Sequence, residues 1–329
     1  MTSHPSLRVA IASIALDPPD RLRVRGRVVR LDVAPRAPAE VLEKAVAEAL
    51  YVTLHCRVAS RSLAAAGSTN WTGARDFADR LSRANSGHGT WQAGWVVREL
   101  PDAGRIVVER HGVIFWADEG DFRPPGHGVV VAEAGRVRIP KEYFELASGF
   151  YLAHGNADDT RDEGDVARIY WHVVPAGAEL LMGTMTRRLN ATGIPFQLKV
   201  LSEPLRYQRA DPAVLYLARG DYQTALPVLR EVCTSLGSVL LDSVSLLVKP
   251  LAPGVGVAED PGDGSSYGEH RTRMLASVFC DPSWREVPAE HRAAEMARRL
   301  AGQGFDLDRL FLQPGSIDRY PSFDEGPPA

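Results

Sequence analysis

An α+β fold, with mostly antiparallel sheets flanked by helices, is what this 329-residue chain predicts. Two patterns carry that expectation. Short segments alternate apolar and polar residues with a period of two, and longer ones repeat apolar residues at spacings of three and four. A third is the punctuation, since three consecutive strand-like segments are separated only by turns of the DAG and HG type.

Composition is that of an ordinary globular protein, 45% hydrophobic and 24% charged, and a net charge of −3 offers no global attraction to nucleic acid. Cys56, Cys233 and Cys280 form an odd, widely spaced set without a CxxC pair, which predicts reduced, buried thiols in a cytoplasmic protein. The N-terminus lacks a basic flank followed by a long apolar run, and no apolar run reaches membrane-spanning length. Neither a cleaved signal nor a membrane partner is therefore expected.

Taken in order, residues 6–33 alternate arginine with apolar residues, most visibly in RLRVRGRVVRLDV. This predicts a strand or hairpin with a solvated basic face, or else a docking edge for an acidic partner through Arg23, Arg25 and Arg27. Pro35 to Pro38 break the pattern. Ala39 to Arg57 has the apolar spacing of an amphipathic helix, the loop AAAGSTN follows, and Thr72 to Arg83 predicts a second helix stopped at Asn85 and Gly87. GWVVREL, GRIVVER and GVIFWAD predict an antiparallel meander. Trp71, Trp91, Trp95 and Trp116 are expected mainly in the core, with an aromatic-lined peptide groove as the alternative. The loop DFRPPGHGVV places a domain boundary, dividing a helix-and-meander region, 1–122, from an α+β region, 123–329.

Beyond it, Pro140 to Ala153 predicts a helix ended by His154-Gly155-Asn156, and the acidic run DDTRDEGD a solvated loop. The stretch from Arg168 to Arg219 is the functional centre. Arg168, Tyr170 and His172 fall on one face of a strand and Ile169, Trp171 and Val173 on the other. Gly177 to Leu189 is helical and Asn190 to Gly193 stops it. IPFQLKVL is a strand with Gln197 and Lys199 on its polar side, and AVLYL is a third strand after a polar turn at Arg209 and Asp211. Asp221 to Leu236 predicts a helix kinked or restarted at Pro227, and VLLDSVSLLVKPL a strand ending at Lys249. PLAPGVGVAEDPGDGSS reads as a mobile surface loop with neither a P-loop nor a dinucleotide fingerprint. Ser266 to Glu269 forms a capping box opening the helix YGEHRTRMLASVF, a last amphipathic helix covers 288–304, and the tail from Pro314 is expected to be loose.

Lysine is scarce. Lys44, Lys141, Lys199 and Lys249 stand against 34 arginines (38 − 4). Arginine cannot serve as a base near neutral pH, whereas a lysine can, so a lysine within an apolar strand invites a chemical role. An ordinary half-exposed strand lysine with its stem packed satisfies the same spacing.

The blocks RIYWHV, GIPFQLKVL, RADPAVLY and SSYGEHRTRMLASVF resemble the HopA-type family, which includes effectors of plant pathogens and the LanY-type lyases of class five lanthipeptide and thioamitide biosynthesis. With ANSGHGTWQAGWVV and FYLAHGN the likeness extends over residues 38–315. It implies elimination of phosphate from phosphoserine or phosphothreonine of a precursor peptide bearing a leader, after a kinase-like partner has added the phosphate. It also implies a lyase-like fold for 123–329, with no metal or organic cofactor. By analogy with effector phosphothreonine lyases, Lys199 in the PF-x-x-K strand is the base and His172 the acid. Arg209 and Arg271 would clamp the phosphate, the latter at a helix N-terminus, with Tyr216, Arg168 and Lys249 as further ligands. Where those lyases carry a lysine two residues before the histidine, this chain has Tyr170. A non-catalytic effector or scaffold that binds a partner protein is the alternative, and a Schiff-base enzyme using Lys199 a third.

Overall fold

The computed structural model describes residues 7–17, 20–24, 26–34, 36–58, 71–101, 104–110, 112–145, 149–158 and 165–325. Arg25, the loop 64–70 and most of the acidic run at 159–164 lie outside the described residues, as does the side chain of Trp71. Seven α-helices and three antiparallel sheets of three, seven and five strands make an α+β fold among them.

The chain opens with helix α1 (Leu7–Ala12) and the ribbon β1 (Ala15–Asp17), β2 (Arg21–Val24) and β3 (Arg27–Arg30), where the alternation predicted a hairpin. Leu22, Val24 and Val29 turn into the core and the arginines outward. Helix α2 (Ala39–Leu50) is shorter than predicted, because from Tyr51 to His55 the chain continues as a π-helical turn that carries His55 inward. Helix α3 (Trp71–Ala84) follows. The meander β4 (Thr90–Glu99), β5 (Arg105–Arg110) and β6 (Val113–Asp118) forms as predicted and is extended by β7 (Phe122–Arg123) and β8 (Ala134–Ile139) into the order β6-β5-β4-β8-β7. The boundary expected at 122/123 falls inside β7. Trp95 is buried there but Trp116 is 57% exposed, so the tryptophans do not form one core cluster.

The expected helix at 140–153 is a hairpin, β9 (Glu142–Glu145) with β10 (Phe150–His154). Its aromatic residues fit a pleated surface, and cross-strand pairing outweighs a weak local helical preference. The central block folds as expected: β11 (Val166–Trp171), α4 (Ala178–Thr192), β12 (Gln197–Leu201), β13 (Ala213–Ala218) and α5 (Tyr222–Leu236), with Gly193 at φ 72° as the left-handed stop after α4. The expected strand at 239–251 is largely irregular. Leu240 makes an isolated antiparallel bridge to Val173, Ser243 and Ser245 bond to His172 and His55, and Lys249–Ala252 pairs as β14. The expected mobile loop contains β15 (Val255–Glu259), all five residues of which are buried. Gly254, at φ 72°, makes the tight turn between β14 and β15; a Cβ there would stand 2.2 Å from the Leu241 carbonyl oxygen.

Helix α6 (Tyr267–Cys280) begins at Ser266, whose hydroxyl accepts the Glu269 N–H as the capping box predicts, and α7 (Arg292–Ala301) completes the helices. The seven-stranded sheet runs β14-β15-β11-β13-β12-β10-β9. One of its faces, bearing Ile169, Trp171, Leu198, Val200, Leu215 and Leu217, is fully buried. As far as Glu325, with 326–329 outside the described residues, the tail is not loose. Asp318 bonds Lys249, the Tyr320 hydroxyl donates to Glu259, and Phe323 packs on Trp171 and donates its N–H to the Leu251 carbonyl.

Candidate active site

Residues directly opposite in an antiparallel pair lie on the same side of the sheet. Lys199 is opposite Val214, and Val214 is opposite Tyr170. Tyr216 and Arg168 are opposite each other one pleat along, and His172 follows Tyr170 in the other direction. All therefore share one face, the one the sequence alternation assigns. Burial shows that this face is open only in part, along β10 and β12 and at Tyr216 and Arg168, since Tyr170, Val214 and His172 on it are buried. Phe150, Leu152, His154, Gln197, Lys199 and Tyr216 are half-buried, while the intervening Tyr151, Ala153, Leu198, Val200, Leu215 and Leu217 are buried.

Lys199 occupies the middle of this surface, its Nζ 4.6 Å from the centre of the Phe150 ring. From β12 to β11 is two strand spacings, roughly 9–10 Å, and His172 lies one pleat beyond. The buried side chains of Val214 and Tyr170 lie between the amine and the imidazole. His172 is 7% exposed, with Nδ1 donating to the Ser243 carbonyl at 2.7 Å. A carbonyl only accepts, so that nitrogen carries the proton and Nε2 is the one left to exchange it. Burial lowers the His172 pKa from 6.5, against the opposing pull of the Ser243 carbonyl and Asp211.

Two buried ion pairs flank the face. Arg168 donates through Nε to Asp260 at 2.6 Å and through Nη2 to the Ser265 carbonyl at 3.0 Å, with its guanidinium 5.5 Å from the centre of the Tyr216 ring. Arg209 grips Asp211 with two bonds of 2.6 Å and donates to the Tyr51 hydroxyl at 2.9 Å. Asp211 also lies 3.4 Å from His55 Nε2, and His55 Nδ1 is 3.0 Å from the Ser245 hydroxyl. Burial by itself would raise the Asp211 carboxyl. The Arg209 guanidinium outweighs it and holds the group well below the usual carboxylate range. The His55 ring meets the buried Tyr170 edge-on at 5.3 Å, which covers the β11 side of this sheet face.

Two of the expected ligands lie elsewhere. Arg271 is fully buried. It donates to the carbonyls of Leu310 at 2.9 Å and Leu312 at 3.0 Å, and its guanidinium lies 5.1 Å and 4.5 Å from the ring centres of Tyr267 and Phe305. The helix start near it is real, but the guanidinium is directed at the segment after α7 rather than at a ligand. Lys249 is opposite Val257, hence on the other face of the sheet, and is bonded to Asp318 at 2.6 Å. Sequence reasoning missed the partners that organise the face. In the sequence Asp211 belongs to the expected turn, Asp260 to the expected loop and Phe150 to the expected helix. His55 carried no signal, because its role depends on the π-helical turn.

The sequence model of the HopA1 effector protein family matches residues 143–312, and the chain belongs to that family. Among solved structures it is similar to the effector protein from Pseudomonas syringae pv. tomato strain DC3000. That match has 16% identity over 86% of this chain and 93% of that one, with a TM-score of 0.47. It is also similar to the effector protein from Pseudomonas syringae pv. syringae strain 61, at 16% identity over 84% and 97% of the two chains and a TM-score of 0.43. No curated protein matches.

Proposed function

We propose that this protein is a phosphoserine/phosphothreonine lyase acting on a ribosomally made precursor peptide, as in lanthipeptide-type biosynthesis, after a kinase-like partner has phosphorylated it. The observation that supports the reading is one sheet face that carries the half-buried Lys199, Tyr216 and Arg168 together with the buried His172. The Lys199 amine takes the Cα proton of the phosphorylated residue. The electrons of that C–H bond form the Cα=Cβ bond, and the Cβ–O bond breaks with its pair leaving on phosphate. His172, in its imidazolium form, gives its Nε2 proton to the departing oxygen and is left neutral with the proton on Nδ1. The products are a dehydroalanine or dehydrobutyrine residue and inorganic phosphate. Arg168, Arg209 and Tyr216 remain the candidates to meet the phosphate, whereas the burial of Arg271 and the position of Lys249 remove those two from the proposed clamp.

Incubation with a phosphothreonine peptide should release one phosphoric acid per site by mass spectrometry, and Lys199→Ala should not. Elimination by Lys199→Ala at the wild-type rate overturns the assignment of the base. A second reading has its own support. Both flanking arginines are held by buried carboxylates, as expected of an ion network that fixes strands in a non-catalytic effector that binds a partner. Under it, no phosphopeptide loses phosphate.

A further inference from the structure

The ribbon β1–β3 takes no part in the proposed chemistry, and its construction is unusual. On its outer face Arg21 stands directly opposite Arg30, and Arg23 opposite Val28. Like charges in direct cross-strand register are unfavourable. Asp20, 3.0 Å from Arg30 and 3.9 Å from Arg21, and Asp17, 2.9 Å from Arg23, offset only part of this. With Arg27, the described residues of the ribbon set four exposed arginines against two carboxylates in a chain whose net charge is −3. The positive charge is therefore concentrated here against the overall balance.

The edge of this ribbon is also open to pairing. Among the described residues, the last strand in the order β1-β2-β3 has a neighbour on one side only. The Leu31 N–H donates to the Asp20 carbonyl at 2.6 Å, so by alternation Val29 and Arg27 turn their backbone groups to β2 while Val28 and Arg30 turn theirs outward. Val28 is 54% exposed beside them. A partner that satisfies all of this must be extended, to pair with the edge, and acidic, to answer the arginines.

We infer that the free edge of β3 docks an extended acidic peptide segment as a fourth strand. The peptide's backbone bonds Val28 and Arg30, its carboxylates lie over Arg30, Arg21 and Arg23, and a small or apolar side chain meets Val28. The segment's identity as the leader of the substrate peptide rests on the lyase reading; the docking itself does not.

The test is fluorescence anisotropy with a fluorescein-labelled peptide alternating glutamate with threonine, titrated with the full chain at low ionic strength. Saturable binding is expected, weakened by salt, and about tenfold weaker or worse for the Arg23→Glu/Arg30→Glu double variant. Both side chains are largely exposed, and an unchanged melting temperature verifies that the variant is folded. The glutamine counterpart of the peptide, and a glutamate peptide N-methylated at alternate residues, should both fail to bind. Undiminished affinity in the double variant overturns the site. Retained binding of the N-methylated peptide overturns strand addition, and equally tight binding of oligothymidylate through the same arginines overturns a peptide as the partner. If the acidic peptide binds through Arg23 and Arg30 while no phosphopeptide is eliminated, the lyase reading falls and the docking edge stands.

Discussion

Asp211 is the residue whose loss should cost the molecule most. It is buried, bound twice by Arg209, and approached by His55. Asp211→Asn leaves the guanidinium buried without its counter-charge, which costs about 3–5 kcal/mol. Urea denaturation of the variant should show a lower midpoint at an unchanged slope. His172 gives a pH signature. Its folded pKa is lowered from 6.5 by burial, so between that value and 6.5 the unfolded chain binds more protons. Stability should be fully present above pH 6.5 and decline as pH falls through the folded pKa, and His172→Gln should flatten this decline in melting temperatures taken across that range. A wild-type profile no steeper than that of His172→Gln would mean that the ring titrates alike in both states.

At the scale of elements, the contact between α6 and the π-helical turn depends on a missing side chain. A Cβ at Gly268 would stand 2.4 Å from His55 Cδ2 and 2.7 Å from Tyr51 Cε2. Gly268→Ala forces the helix away from the turn and should cost about 1–3 kcal/mol by thermal denaturation. Elements whose cues are local were legible in the sequence. The capping box at Ser266, the glycine stop at Gly193 and the alternation of RIYWHV each act over a few residues, and each forms as read. Those that failed depend on distant partners. β9 and β10 pair with each other and with β12, against the helical spacing of their own residues, and β15 is buried because β11 and β14 flank it. Glycine and proline around β15 disguised a central strand as a loop. Lys199, Arg168, Tyr216 and His172 were legible as a set because strand alternation alone assigns their common face. Arg271 and Lys249 were misplaced because no local pattern says what a cation will find in front of it.

For the whole molecule, the tail acts as a strap over the buried face. Tyr320 donates to Glu259, which also receives the Gln313 N–H and lies 3.3 Å from Arg219. Tyr320→Phe removes one bond to a buried carboxylate and should cost about 1.5–3 kcal/mol. Tyr320→Ala adds a cavity beside Tyr222 and should cost about 3–5 kcal/mol, both by urea denaturation. Equal stability of all three proteins would mean that the strap contributes no packing. The sequence alone determined the class of fold, most helices, the strands of the functional block and the face on which its lysine lies, because periodicity and caps are written within a few residues of where they act. Only the tertiary structure decided which arginines are bound to aspartates, which face is open in part and that the tail is anchored. Arg209 and Asp211 are two residues apart. Their burial under Tyr51 and His55, like the pairing of Arg168 with Asp260, depends on residues tens to hundreds of positions apart meeting in a shared low-dielectric interior, where an ionised group must find its partner wherever the chain brings one.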